Sequence, residues 1–428
     1  MKTSLALVTP WPPQHTGIAD YAYDLAGALY TSGVDVTVFT RETEPRALSG
    51  IRIVSVQNEE PLKALQDFDC IVYQLGNNTT FHLWMIPLLQ RYPGTVHIHD
   101  MVMHHIAAWQ TWMQDDAEAY IALLEKWYGL KGLSHALESL DSGNYLWESD
   151  RVTDFPLYEE YAQYAKTIIV HSGFVLQRVR KALPDTPSFQ VPQLYNIEPR
   201  AQCATALRKI CVMGGVDPQK HLDWILEALA TIQDRSNFVH PIELHIVGAV
   251  DQRCMHLEET ARALASDKLS IVFHGRATQS QFQDIFLQSD LCIALRFPTM
   301  GETSAIVMRA LQKGIPTIVN NIGWYAELPD NIVKKLPIHN CADQLRQLLE
   351  YYIAQPQVFS DWSSDCLHFA KTGLSLTLYG EHYRSICENP QAMELVTNIQ
   401  AAALADCGLS GVGDEDVLLQ QILEQSQI

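Results

Sequence analysis

The run Leu295–Asp330, LRFPTMGETSAIVMRALQKGIPTIVNNIGWYAELPD, constrains the fold more than any other stretch of this chain. It predicts a strand end, a loop, a helix, a second strand and a second loop in direct succession. DLCIAL (290–295) is a short apolar run, Pro298 and Gly301 mark the loop, and Ala305, Met308 and Leu311 recur at helical spacing. Gly314 ends the helix, because a left-handed C-cap favours a residue without Cβ, and Pro316 cannot continue it. IPTIVN then predicts a buried parallel strand. Glu302, Thr303 and Ser304 therefore fall at a helix N-terminus just past the carboxyl end of a strand, the edge of an open α/β sheet where ligands bind. Free N–H groups and the positive end of the dipole suit an anion such as a diphosphate there, with two hydroxyls as further donors. Glu302 has two readings: a carboxylate answering the dipole, or one accepting hydrogen bonds from sugar hydroxyls.

The same pattern opens both halves of the chain. SLALVTP, HTGIADYAYDLAGALYTSG and VDVTVFT predict a βαβ unit in which Gly17 either lets backbone approach a ligand or simply makes a turn. GxGxxG is absent, which removes the fingerprint of a dinucleotide oxidoreductase. RKICVMGGVDPQKHLDWILEALATI restarts the pattern, with Gly215 in the loop and Lys220 as a movable charge near the helix start. A chain of 428 residues is too long for one ordinary core, and a boundary is expected near residue 196.

Other strand ends carry polar clusters. CIVYQLG leads into Asn77 and Asn78, and TVHIHDMVMHH places His97, His99 and Asp100 at a strand end with His104 and His105 beginning a helix. Histidines two apart on a strand share one face, but no HExxH or carboxylate-spaced triad accompanies them, so no metal is expected. Residues 108–157 interleave Trp109, Trp112, Trp127, Tyr128 and Trp147 with acids, an inserted helical region that covers the first core or grips an acceptor. A net charge of −19 argues against coating nucleic acid, and nine cysteines without CxxC pairs read as thiols of a reducing cytoplasm. No run approaches the roughly 20 apolar residues of a membrane span, so the expectation is a cytoplasmic protein, soluble or peripheral to the inner membrane.

The segment 295–330 resembles the signature of the family-4 retaining glycosyltransferases, in which a Glu-x7-Glu element opens a helix that ends in Gly-x-Pro. Here Gly301 and Arg309 occupy the places of the two glutamates, with Glu302 one place after the first. GETS followed by GW-x-AELPD, together with TGIADYA, YQLGNN and the HD pair, resembles a subgroup acting in bacterial polysaccharide assembly. Gly215-x4-Lys220 resembles the family's G-x4-K element. The resemblance covers about residues 1–390.

It implies an α/β GT-B fold: an N-terminal Rossmann-like acceptor domain (1–195) carrying the aromatic-rich insertion, a C-terminal Rossmann-like donor domain (196–374), a crossover helix (375–390) and an acidic helical tail (391–428). The implied function is transfer of a sugar from a UDP- or GDP-sugar to a saccharide or glycolipid acceptor, with retention and without metal or other cofactor. A nucleotide-sugar 2-epimerase and a non-catalytic nucleotide-sugar-binding scaffold are the alternatives. By the same resemblance His99, Glu302 and Asp100 are the catalytic candidates, and Gly17, Gly215, Lys220, Thr303, Ser304, Arg276 and Glu327 hold the donor and its phosphates. The tail is a candidate surface for a protein partner.

Overall fold

The computed structural model describes residues 2–234 and 240–393. From residue 394 the expected acidic tail lies outside the described residues. The chain divides into two units: one holds the chain up to Leu194, Met300–Thr303 and the chain from Ser375 on, and the other holds Tyr195–Thr299 and Ser304–Leu374.

Unit 1 is built on seven strands: β1 (Ser4–Val8), β2 (Asp35–Thr40), β3 (Arg52–Ser55), β4 (Cys70–Leu75), β5 (Thr95–Ile98), β6 (Thr167–Val170) and β7 (Ser188–Gln190). They pair in parallel in the order β3-β2-β1-β4-β5-β6-β7. Both faces are covered, so β1, β4, β5 and β6 are buried along nearly their whole length rather than on alternate residues, with the polar Gln74 and His97 among the buried side chains. The first helix, Gly17–Thr31, is capped by Thr16 and buries Tyr21, Ala22, Leu25 and Leu29. A helix near the other end of the described chain, Leu376–Glu388, lies against it. There a Cβ on Gly380 would come within 2.8 Å of the Ala28 carbonyl oxygen, so only glycine permits the approach. Arg384 donates to the Ser32 carbonyl at 2.8 Å and Thr3 to Glu388 at 2.5 Å. Tyr379, Tyr383 and Ile386 of this helix are buried, and the isoleucine alone is worth roughly 1.5–3 kcal/mol of apolar burial.

The aromatic insertion packs into unit 1 around a helix, Ala117–Ser142, that breaks at Gly129 (φ 59°, ψ −147°). Tyr120 and Trp147 are buried, and Tyr145 stacks on Trp147 at 4.6 Å. Leu157 sits in the left-handed region (φ 58°), a conformation costing a β-carbon-bearing residue roughly 1–2 kcal/mol. Its N–H donates to the Tyr128 hydroxyl at 2.7 Å, and Tyr128 donates in turn to Glu159 at 2.9 Å, which holds the backbone there. Of the two roles open for this region, covering the core is the one its packing fills.

Unit 2 carries β8 (Lys209–Met213), β9 (Ile242–Val247), β10 (Leu269–Phe273), β11 (Leu291–Ala294), β12 (Thr317–Asn320) and β13 (Val333–Leu336), parallel in the order β10-β9-β8-β11-β12-β13. The helix Ala305–Lys313 ends at Gly314 (φ 72°), whose N–H reaches back to the Leu311 carbonyl. A Cβ on Gly314 would lie 2.6 Å from the Leu367 Cα. Both sheets reverse strand order beside their first strand, at β1/β4 and at β8/β11. Those switch points are where a doubly wound sheet leaves a crevice at its carboxyl ends.

Candidate active site

At the unit 2 switch point, β8 runs into Gly214 and Gly215. Gly214 has φ 86°, and a Cβ there would lie 2.7 Å from the Lys220 Nζ, so the lysine folds back over the glycine. Lys220 also donates to the Met213 carbonyl at 3.4 Å. Gly248 (φ 148°), at the end of β9, packs from the other side, where a Cβ would stand 2.2 Å from the Gly214 carbonyl oxygen. Asp217 caps the turn Pro218–Lys220, and His221 (φ 47°) stacks on Trp224 at 3.6 Å before the helix Leu222–Asp234. The result is a tight glycine-lined loop carrying a cation, a geometry that cradles phosphate oxygens.

The loop after β11 lies beside it. Arg296 donates to the Gln219 side chain at 2.9 Å and His221 to the Phe297 carbonyl at 3.0 Å, which ties the two loops together. Ser304 is the N-cap of the Ala305–Lys313 helix, accepting from Val307 N at 3.3 Å. The helix therefore has its cap, and Glu302 serves elsewhere: it belongs to unit 1 with Thr303, and its Oε2 accepts from Met300 N at 2.7 Å. Within unit 1 the Met300 carbonyl accepts from Val102 N at 3.3 Å. Gly301 (φ 74°) presses on Met101, which a Cβ would meet at 2.6 Å. Arg309 lies with its guanidinium 4.5 Å from the Tyr195 ring centroid. Glu327 is exposed at the end of the short helix after β12, and Arg276 is exposed after β10, at the sheet's edge.

At the unit 1 switch point, Gly17 is the first residue of its helix, and a Cβ there meets no atom within 4 Å, so packing does not require glycine. Gly76 is closely approached: a Cβ would lie 2.5 Å from the end of the Ile18 side chain and 2.9 Å from Asp100 Oδ2, so a larger residue would push these side chains aside. Asp100 is half-buried and accepts from Asn77 N at 2.9 Å. His99 is buried, with both ring nitrogens engaged: Nε2 lies 2.5 Å from Gln74 Oε1 and Nδ1 lies 3.1 Å from His171 Nε2. His97 points to the Tyr383 hydroxyl (3.1 Å), His104 joins Tyr120 and the Phe155 carbonyl in the inserted region, and His105 meets Asn77. Burial is the main force pushing the His97 and His99 imidazoles well below their ordinary range, with neighbouring histidines adding to it, and it holds His171 at about 4.

Sequence reasoning did not single out Gln74, His171 and Tyr383. The signal was register: Gln74 pairs with His97 and Ile98 with Val170, so one further residue brings His99 beside His171.

Residues 208–351 match the family model described as Glycosyl transferases group 1. This stretch is a group 1 glycosyltransferase domain. It contains the glycine loop, Lys220, Ser304 and Glu327, and glycosyl transfer, the enzyme class expected from the sequence, is the class of this domain. No curated protein matches the chain. Among solved structures, WaaG, a glycosyltransferase involved in lipopolysaccharide biosynthesis, superposes with a TM-score of 0.55 at 15% identity, covering 90% of this chain and 99% of its own. Sucrose-phosphate synthase from Thermosynechococcus elongatus gives 0.58 at 14%, with the same coverage. Anabaena HepE, solved with UDP and glucose, gives 0.54 at 11%, again over 90% and 99%. These likenesses give the chain the GT-B fold. Among the described residues no helix is long and apolar enough to cross a membrane.

Proposed function

We propose that the protein transfers a sugar from a nucleotide diphosphate sugar to a saccharide acceptor, lipid-linked or free, with retention of anomeric configuration and no metal in the reaction. The observation that carries this reading is Lys220 folded over Gly214 inside a group 1 glycosyltransferase domain. Leaving-group charge grows on the diphosphate as the glycosidic bond breaks, and a cation fixed at that point stabilises the transition state more than the ground state. Gly215 and Ser304 line the phosphate side of unit 2, with Arg276 after β10 and Glu327 at the end of the short helix after β12. In unit 1, Glu302 binds sugar hydroxyls with Thr303 beside it, the Gly17 helix start faces the ligand, Asp100 orients the acceptor, and His99 holds the donor sugar. UDP is the first nucleotide to try, because the similarly folded HepE was solved with it. GDP-sugars, a membrane-bound acceptor and a protein partner for residues 391–428 belong to the same proposal.

The test is incubation of the purified protein with UDP- and GDP-sugars, with and without oligosaccharide acceptors, followed by mass spectrometry. Expected is an acceptor heavier by one sugar and nucleoside diphosphate released only when acceptor is present. Conversion of the donor in the absence of acceptor would indicate the epimerase instead. Binding of nucleotide without any turnover would indicate the scaffold.

A further inference from the structure

His97, His99 and His171 form a buried cluster with ring centroids 4.3–4.9 Å apart, and the ring of Tyr21 meets all three edge-on. Their nitrogens are close enough to suggest a metal. Yet all three ligands would be neutral, no carboxylate belongs to the group, and a dication buried without a counter-charge is costly. The hydrogen bonds give another account, and its direction is set at one end.

His171 Nδ1 lies 3.0 Å from the Val191 carbonyl oxygen, which can only accept, so Nδ1 carries a proton. In a neutral ring Nε2 is then bare, and it faces His99 Nδ1 at 3.1 Å, so His99 Nδ1 must donate. His99 Nε2 is bare in turn. Gln74 presents Oε1 to it at 2.5 Å and Nε2 to the Tyr383 hydroxyl at 3.4 Å, which sets lone pair against lone pair. Turning the carboxamide over removes the conflict. Tyr383 then donates to Gln74 and accepts from His97 Nδ1 at 3.1 Å. Each imidazole N–H and the Tyr383 hydroxyl proton is then used once. The atom left over is His97 Nε2, which is the buried nitrogen of this cluster that has no partner.

We infer that His171 is a positioning residue that holds His99 in the Nδ1–H tautomer, making His99 Nε2 a hydrogen-bond acceptor occupied by the Gln74 amide until a ligand hydroxyl replaces it. The ligand must therefore present an O–H donor to His99. This rests on the transferase reading for its role in turnover, but the tautomer itself does not.

The test is long-range ¹⁵N–¹H correlation NMR of the full chain labelled on histidine nitrogen, at pH 6.5–8, with the His99 signal assigned by its loss in His99→Asn. Expected in the wild type are a protonated Nδ1 and a bare Nε2 on both His99 and His171. His171→Phe removes the acceptor and should convert His99 to the Nε2–H form and lower kcat at least tenfold, with nucleoside diphosphate affinity changed less than twofold. His171→Gln, which offers an acceptor oxygen near the Nε2 position, should restore the tautomer and most of the rate. An Nε2–H tautomer of His99 in the wild type overturns the inference. So do imidazolium shifts, or shifts that change on adding Zn²⁺. The wild-type spectrum needs no turnover, so the tautomer can stand or fall whether or not sugar is transferred.

Discussion

Lys220 lies so close over Gly214 that its Nζ would stand 2.7 Å from a β-carbon on that glycine. A cation held there meets a diphosphate oxygen without first having to be ordered, and a charge-assisted bond of that kind is worth about 1.5–3 kcal/mol. Lys220→Ala should weaken nucleoside diphosphate binding roughly tenfold or more by calorimetry, with the melting temperature of the unliganded protein unchanged. Equal affinities would remove Lys220 from the site.

Gly248→Ala tests the loop rather than the charge. The added methyl would fall 2.2 Å from the Gly214 carbonyl oxygen, and the residue would keep a φ of 148° that side chains rarely adopt. The glycine loop must shift to make room. Diphosphate affinity should fall by more than in Lys220→Ala, with the melting temperature lowered as well. Wild-type affinity would mean that the loop is not the phosphate cradle.

Glu302→Gln separates sugar from nucleotide. The amide keeps an acceptor for Met300 N, so the loop should stay in place, but it offers NH₂ where the second carboxylate oxygen could accept from a sugar hydroxyl. Turnover should drop well over tenfold, while affinity for the free diphosphate, which has no sugar, should barely change. A parallel fall in both would move Glu302 to the nucleotide, and no fall in either would leave it a loop-holding residue.

Acid should weaken unit 1 before it reaches the usual carboxylate range. His82, His104 and His171 are each depressed to about 4, chiefly by burial. A histidine with a depressed folded pKa binds more protons when unfolded, so its contribution is complete above about 6.5 and is lost as pH falls toward 4, at up to about 1.4 kcal/mol per pH unit each. Glu159 runs the other way. Burial raises it to about 7, so it takes its proton first in the folded state and offsets roughly one histidine between pH 7 and 4.5. Urea midpoints should therefore decline from pH 6.5 to 5. A flat profile would mean that these imidazoles are not buried neutral.

Much of the fold was legible because local chemistry and sheet chemistry agree. Gly314 and Pro316 end a helix and start a strand whatever surrounds them, and the Gly-rich turn before Lys220 needs only its own backbone. The site was less legible in proportion to sequence distance. Glu302 looked like a helix-end residue because Ser304, two places on, is the cap that such a reading needs, and nothing local shows that Met300–Thr303 packs with Met101 and Val102. The chain of Tyr383, Gln74, His99 and His171 joins residues on four separate elements, and only strand register could have brought the last three together.

The seat of Gly380 on Ala28 has a consequence for the order in which the protein can be made. Unit 1 needs the helix Leu376–Glu388 to cover Tyr21, whereas all of unit 2, which ends at Leu374, is translated before that helix leaves the ribosome. The first unit to be synthesised is thus the last to be completed. Until residue 388 has emerged, the face of the Gly17–Thr31 helix that receives Gly380 stays uncovered, so nascent chains stalled before that point are those expected to need a chaperone.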